Sequence, residues 1–159
     1  MALEPRRVVT GHDAQGRAVV MIDEIAKNAV SARPNTAACV LWTTEGFPVS
    51  NDGDEDGARR QTGTTLANGT VFRILEVGPG NAPRIHRTDS IDYAVVMSGE
   101  IDMELEEGTS VHLKTGDLVV QRGTIHNWVN KGTEPCRIAF ILIDAKPVEV
   151  GGKVLQAHG

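Results

Sequence analysis

The stretch GNAPRIHRTDSIDYAVVMSGEI, residues 80–101, decides how the chain reads. From Asp92 onward the side chains alternate: Asp92, Ala94 and Val96 share one face, Tyr93, Val95 and Met97 the other, which is the period of a β-strand. Before it, His86 and Thr88 project the same way, and Asp89-Ser90 marks a turn. A second stretch, GDLVVQRGTIHNWVN at residues 116–130, puts His126, Trp128 and Asn130 on one face. If these strands are neighbours, His86, Asp92 and His126 converge inside a barrel. Two imidazoles and a carboxylate form a three-ligand site with open positions, suited to a divalent metal such as Fe, Zn or Mn. Each residue also has a plainer reading. Either histidine alone serves equally as a barrel-mouth residue bonded to a carbonyl, and Asp92 as a group that orients one of them.

The same alternation runs outward from these segments. EIDMELEEG places Ile101, Met103 and Leu105 opposite Asp102, Glu104 and Glu106, and SVHLKTGDLVVQRG reads as two strands around a Lys-Thr-Gly-Asp turn. CRIAFILIDA, residues 136–145, is apolar in both phases, so both of its faces are expected to be covered. Turn signals at Pro79-Gly80, Ser98-Gly99, Glu107-Gly108, Thr115-Gly116 and Lys131-Gly132 separate short strands, the pattern of an all-β sandwich or barrel. The barrel is expected over residues 66–147. Residues 1–50 read as an N-terminal strand extension packed on it: two strands around Asp-Ala-Gln-Gly, a short helix in AKNAVSAR and a strand near 38–44. Residues 51–65, with NDGDEDGARRQTG, read as a mobile polar loop, whose acidic triplet lacks the spacing of a calcium loop. The tail, 148–159, is Gly-rich and expected to be loosely packed, with His158 disordered.

Composition narrows the function. One domain accounts for 159 residues, and 40% apolar with 23% charged residues is a globular composition. A net charge of -5 without a basic run argues against nucleic acid as the partner. No apolar run approaches the roughly 18 residues needed to span a membrane, and no secretory apolar segment is seen near residue 1. Two cysteines, Cys39 and Cys136, carry no C-x-x-C spacing, so reduced thiols and a cytoplasmic location are expected. No Walker loop, dinucleotide fingerprint or G-x-S-x-G elbow is present, and Val77-Gly78-Pro79-Gly80 leads into a strand rather than a helix. His12 and His112 are expected to be exposed and unrelated to the site. Trp42, with Thr43 and Thr44, ends a strand that folds over the barrel and is a candidate for lining a pocket.

The two quoted stretches resemble the paired motifs of the cupin superfamily, small double-stranded β-helix (jelly-roll) barrels that often bind one metal. Gly80, His86, Thr88, Asp92 and Gly99 match the spacing of the first motif, in which Thr88 stands where a second histidine is usual and Asp92 where glutamate is usual. Gly116, Gly123, His126 and Asn130 match the second, with Gln121 at the proline position and a first gap one residue shorter. A subgroup of small cupins carries this Thr and Asp variation. The resemblance implies a single cupin barrel in which His86, Asp92 and His126 hold the metal. Thr88 reads as a pocket hydroxyl, Trp128 as pocket floor or core, and Asn130 as a strand-end hydrogen-bonder or a substrate contact. It further implies a metal-dependent small-molecule enzyme acting as a Lewis acid: a lyase, isomerase or decarboxylase for an oxygenated, largely apolar substrate with one chelating end. The alternatives are an Fe(II) dioxygenase and a non-catalytic ligand-binding cupin. No charged cluster is evident on the inward faces. The outward Tyr93, Val95 and Met97 are apolar and need cover, from the N-terminal strands or a second subunit, and cupins of this size resemble homodimers.

Overall fold

A computed structural model describes residues 3–159. Thirteen strands follow in order: β1 Arg6–His12, β2 Ala18–Ile25, β3 Val30–Arg33, β4 Thr36–Glu45, β5 Gly69–Val77, β6 Ser90–Ser98, β7 Glu100–Glu104, β8 Ser110–Lys114, β9 Leu118–Arg122, β10 Asn127–Val129, β11 Cys136–Asp144, β12 Val148–Val150 and β13 Lys153–Leu155. Two sheets build the barrel. One has six strands in the order β3-β4-β5-β11-β6-β9, the other three in the order β10-β7-β8, and all pairings are antiparallel. This is an all-β barrel, as the alternating pattern predicts, in the double-stranded β-helix form that the resemblance implies. Among the described residues no helix is long and apolar enough to cross a membrane.

Alternation decides what the barrel holds. The inward residues of β6 and β11, Ala94, Val96, Cys136, Ile138, Phe140 and Leu142, are buried together with Val71, Val77, Ile101, Leu113 and Trp128. A second, smaller core lies outside the barrel wall, where Leu3, Ala26, Cys39, Leu41 and Ile74 meet. Thus the N-terminal segment covers the outer face of β4 and β5. The outer face of β11 and β6 stays open. Phe72, Ile141, Tyr93 and Val120 are cross-strand neighbours in one row, and Leu118 and Val120 are 74% and 63% exposed. Gly99, between β6 and β7, has φ +75°, and a Cβ there would lie 2.7 Å from the Pro135 carbonyl oxygen, so both conformation and space demand glycine.

Three local expectations give way to tertiary contacts. AKNAVSAR forms no helix. Its second half is β3, turned onto β4 through Pro34-Asn35, with Asn35 in the left-handed region at φ 54°. Ladder hydrogen bonds to β4 outweigh the modest helical preference of Ala and Lys. The polar segment 51–65 holds a 3-10 turn, Gly57–Arg59, and is tied down at Asp56, whose Oδ1 accepts from Arg7 Nη1 at 2.7 Å. The tail is ordered as well. β12 and β13 form a hairpin, and His158 exchanges two backbone hydrogen bonds with Arg87.

Candidate active site

His86 and His126 lie outside the named strands and face each other in an antiparallel bridge. Each backbone N–H donates to the other's carbonyl at 3.0 Å, and the ring centroids stand 4.2 Å apart. Asparagines place the segment that carries His86. Asn127 Oδ1 accepts from the Arg84 N–H at 2.9 Å, and Asn81 Nδ2 donates to the Trp128 carbonyl at 2.9 Å. On the other side Gly123, at φ +58°, turns β9 toward His126.

Backbone carbonyls orient both rings. His86 Nδ1 is 3.0 Å from the Arg84 oxygen and His126 Nδ1 is 3.0 Å from the Thr124 oxygen. A carbonyl only accepts, so His86 Nδ1 carries the proton and its Nε2 keeps a lone pair; at His126 the Thr124 carbonyl and the Gln121 amide nitrogen both stand 3.0 Å from Nδ1. Burial, and then the neighbouring imidazole, holds His86 down at about 4, while burial lowers His126. Both rings are neutral at pH 7. These are the two donors a divalent cation would use.

Asp92 shares the cavity but does not join the histidines. Its Oδ1 is 2.6 Å from Ser90 Oγ and its Oδ2 is 3.2 Å from Gln121 Nε2. Ser90 Oγ in turn lies 2.8 Å from Thr88 Oγ1. The short aspartate therefore ends in a hydrogen-bond network, where a glutamate would extend one methylene further. Among the described residues no three His, Cys, Asp or Glu side chains gather closely enough to hold a metal ion. The two imidazoles are adjacent; the trio does not assemble. Burial raises the Asp92 carboxyl above its ordinary value, against the Ser90 hydrogen bond. Gln121 Nε2 also lies 3.0 Å from His126 Nδ1 and 3.2 Å from its Nε2, and the Gln121 Oε1 has no hydrogen-bond partner.

Of the other predicted site residues, Thr88 and Trp128 line the cavity, whose volume is about 400 Å³. Trp128 packs edge-on between His126 and Phe140, with centroids at 6.0 and 5.6 Å. Asn130 is buried behind the cavity. Its Nδ2 donates to the Val77 and Glu134 carbonyls at 2.8 Å, and its Oδ1 accepts from Gly132 N–H at 2.9 Å, so no polar atom is left for a substrate. Trp42 is also outside. A bulge between Val40 and Trp42 reverses the phase of β4. Val40 pairs with inward Arg73, whereas Trp42 pairs with outward Phe72 and lies against Gly57.

Three arginines reach the cavity, and the sequence reading assigned them no role: Arg33, Arg73 and Arg84. Arg73 is in phase with Val71, Leu75 and Val77 in TVFRILEV, so the alternation does carry a signal for it. Burial, then the neighbouring Arg84, lowers Arg73 to about 10, and it remains cationic at neutral pH. The cavity therefore carries a cluster of positive charge, contrary to the expectation of no charged cluster on the inward faces.

Comparison with known proteins agrees with this geometry. The Cupin_2 cupin-domain profile matches residues 73–143. Over 159 residues the chain is 33% identical to "Cupin-domain-containing oxidoreductase fogC" of Aspergillus ruber, covering 96% of this chain and 78% of that protein. The chain belongs to the cupin family. This cupin is also 38% identical over 159 residues to "Phomopsin biosynthesis cluster protein C'" of Diaporthe leptostromiformis, covering 95% of the chain and 84% of that relative. In fold it is similar to the Schizosaccharomyces pombe Cnp3 cupin domain, with a TM-score of 0.53 at 12% identity over 87% of each chain.

Proposed function

We propose that this cupin is a small-molecule enzyme whose chemistry takes place at the His86–His126 pair, with a divalent metal held by the two Nε2 atoms. The observation that carries this reading is the pair itself: two buried, neutral imidazoles side by side in a partly open cavity. A bound metal would supply Lewis acidity toward substrate oxygens or, as iron, reactivity toward dioxygen. Relatives named as oxidoreductases favour the redox outcome over a lyase, isomerase or decarboxylase.

The chain's own residues prepare the site. The Arg84 and Thr124 carbonyls orient the imidazoles. Trp128 and Phe140 exclude water from one side. Asp92, whose carboxyl burial raises above its ordinary value, is the cavity's acid–base group, and Thr88–Ser90–Asp92 forms a hydrogen-bonded path along which a proton can move.

Metal content of untagged protein, wild type beside His86→Ala and His126→Ala, tests the proposal. We expect about one equivalent in the wild type and loss in both variants. Wild-type occupancy below about a tenth of an equivalent, unchanged in the variants, would leave the non-catalytic ligand-binding reading.

A further inference from the structure

The cavity is electrostatically lopsided in a protein whose net charge is -5. Arg33, Arg73 and Arg84 line it, and Asp92 is the sole acidic residue among the lining side chains. Arg84 has partners: its Nη2 donates to Thr64 Oγ1 at 3.3 Å and to the Gly159 carbonyl oxygen at 3.1 Å. Arg73 does not. Its Nε is buried without any hydrogen-bond partner, and it forms no ion pair among the described residues. Its cross-strand neighbours in the barrel wall are Val40 and Phe140, both apolar. Asp92, across the same cavity, is its one acidic neighbour and acts on it through space without a hydrogen bond. A half-buried guanidinium whose Nε has no hydrogen-bond partner is unfavourable for folding, and its persistence asks for a partner that arrives later.

Resting on the reading of this cavity as the substrate site, we propose that the substrate is a carboxylic acid with an apolar body. Its carboxylate is taken by the Arg73 guanidinium, with Arg84 and Arg33 adding positive potential. Geometry and chemistry select this class. A planar guanidinium fork matches a carboxylate in two parallel hydrogen bonds. The remaining wall, with Leu75, Val77, Phe140, Leu142 and Trp128, accepts an apolar body. A cavity of about 400 Å³ admits a molecule of modest size, anchored at one end by Arg73 and reaching the histidines at the other. Arg73 is thus a specificity-determining residue, and the cost of burying it unpaired is borne by the free protein.

The test uses cinnamate, with cinnamyl alcohol as its uncharged counterpart, titrated calorimetrically into chelator-treated, metal-free protein. Cinnamate should bind at least about tenfold more tightly than the alcohol, and Arg73→Met should weaken cinnamate about thirtyfold or more while leaving the alcohol unchanged. A second readout separates this role from a structural one. Because Arg73→Met replaces a half-buried cation lacking a hydrogen-bond partner at Nε with an apolar side chain of similar length, the ligand-free variant should unfold at the same urea concentration as wild type or higher. Equal binding of the two compounds, no binding of either at about 10 mM, or an unchanged preference in Arg73→Met overturns the proposal. So does inorganic phosphate displacing cinnamate at lower concentration, which would point to a phosphoryl group instead. Since binding is read without metal, failure here leaves the metal reading standing, and failure of metal uptake leaves this one standing.

Discussion

Replacement of Asn130 separates a structural clamp from a substrate contact. The side chain is 1% exposed and joins two pieces of chain: the end of β5 through the Val77 carbonyl, and the turn before β11 through Glu134 and Gly132. Asn130→Ala leaves the buried Val77 carbonyl without a donor, which costs about 1–3 kcal/mol. The Glu134 carbonyl and Gly132 N–H sit nearer solvent and regain water in part, adding about 0.5 kcal/mol each. With the small void, the loss comes to about 3 kcal/mol, or a fall of roughly 6–12 °C in Tm for a chain of this size. Urea denaturation at pH 7 should show a lower midpoint at unchanged slope. Asn130→Asp keeps the shape and the Gly132 acceptor but sets oxygen against two carbonyls, and should cost at least as much. Cinnamate affinity, measured well below the unfolding temperature, should not change in Asn130→Ala. A loss below about 1 kcal/mol together with weakened cinnamate binding would refute this reasoning and return Asn130 to the substrate site.

Other expectations follow from the same geometry. Arg7, with 8% of its side chain exposed, pairs with Asp56, and removing it in Arg7→Met should cost about 2–4 kcal/mol and open residues 51–65 to limited proteolysis. The Arg7 hydrogen bond holds Asp56 below its ordinary 3.8, so this pair stabilises the fold above that pH and its contribution fades as pH falls through the lower folded value. Acid titration of stability should therefore be shallower below about pH 4 in Arg7→Met than in wild type, and an unchanged acid limb would contradict the assignment. Trp42→Ala should also loosen residues 51–65 but leave cinnamate binding intact, whereas Trp128→Ala should cost about 3–5 kcal/mol and weaken cinnamate; equal effects on binding would place both residues in the pocket. The open apolar row on β5, β11, β6 and β9 is expected to be covered by a second copy of the chain. Sedimentation velocity should show a dimer that Leu118→Lys with Val120→Lys dissociates, and a monomeric wild type would overturn it.

Much of the candidate site was legible in the sequence because it is encoded over short spans. Strand parity sets Asp92, Ala94 and Val96 inward, and glycine turns fix where His86 and His126 fall relative to the strands beside them. That much needs no long-range information. The all-β barrel itself follows from the same two-residue period. What the sequence alone could not decide depends on which distant segments meet. A single bulge between Val40 and Trp42 moves the tryptophan from the barrel side to the outer side, and bulges leave no fixed mark on composition. Residues 30–33 become a strand only because β4 supplies a ladder, and that strand delivers Arg33 to the cavity. Asp56 is anchored by a partner 49 residues away. Asp92 stops short of the histidines because Ser90 and Gln121 hold it, a matter of ångströms rather than pattern. The periodicity of one strand says which way Arg73 points. Only the closed barrel decides that it shares one cavity with two imidazoles, Arg84 and Asp92, its Nε left without a hydrogen-bond partner.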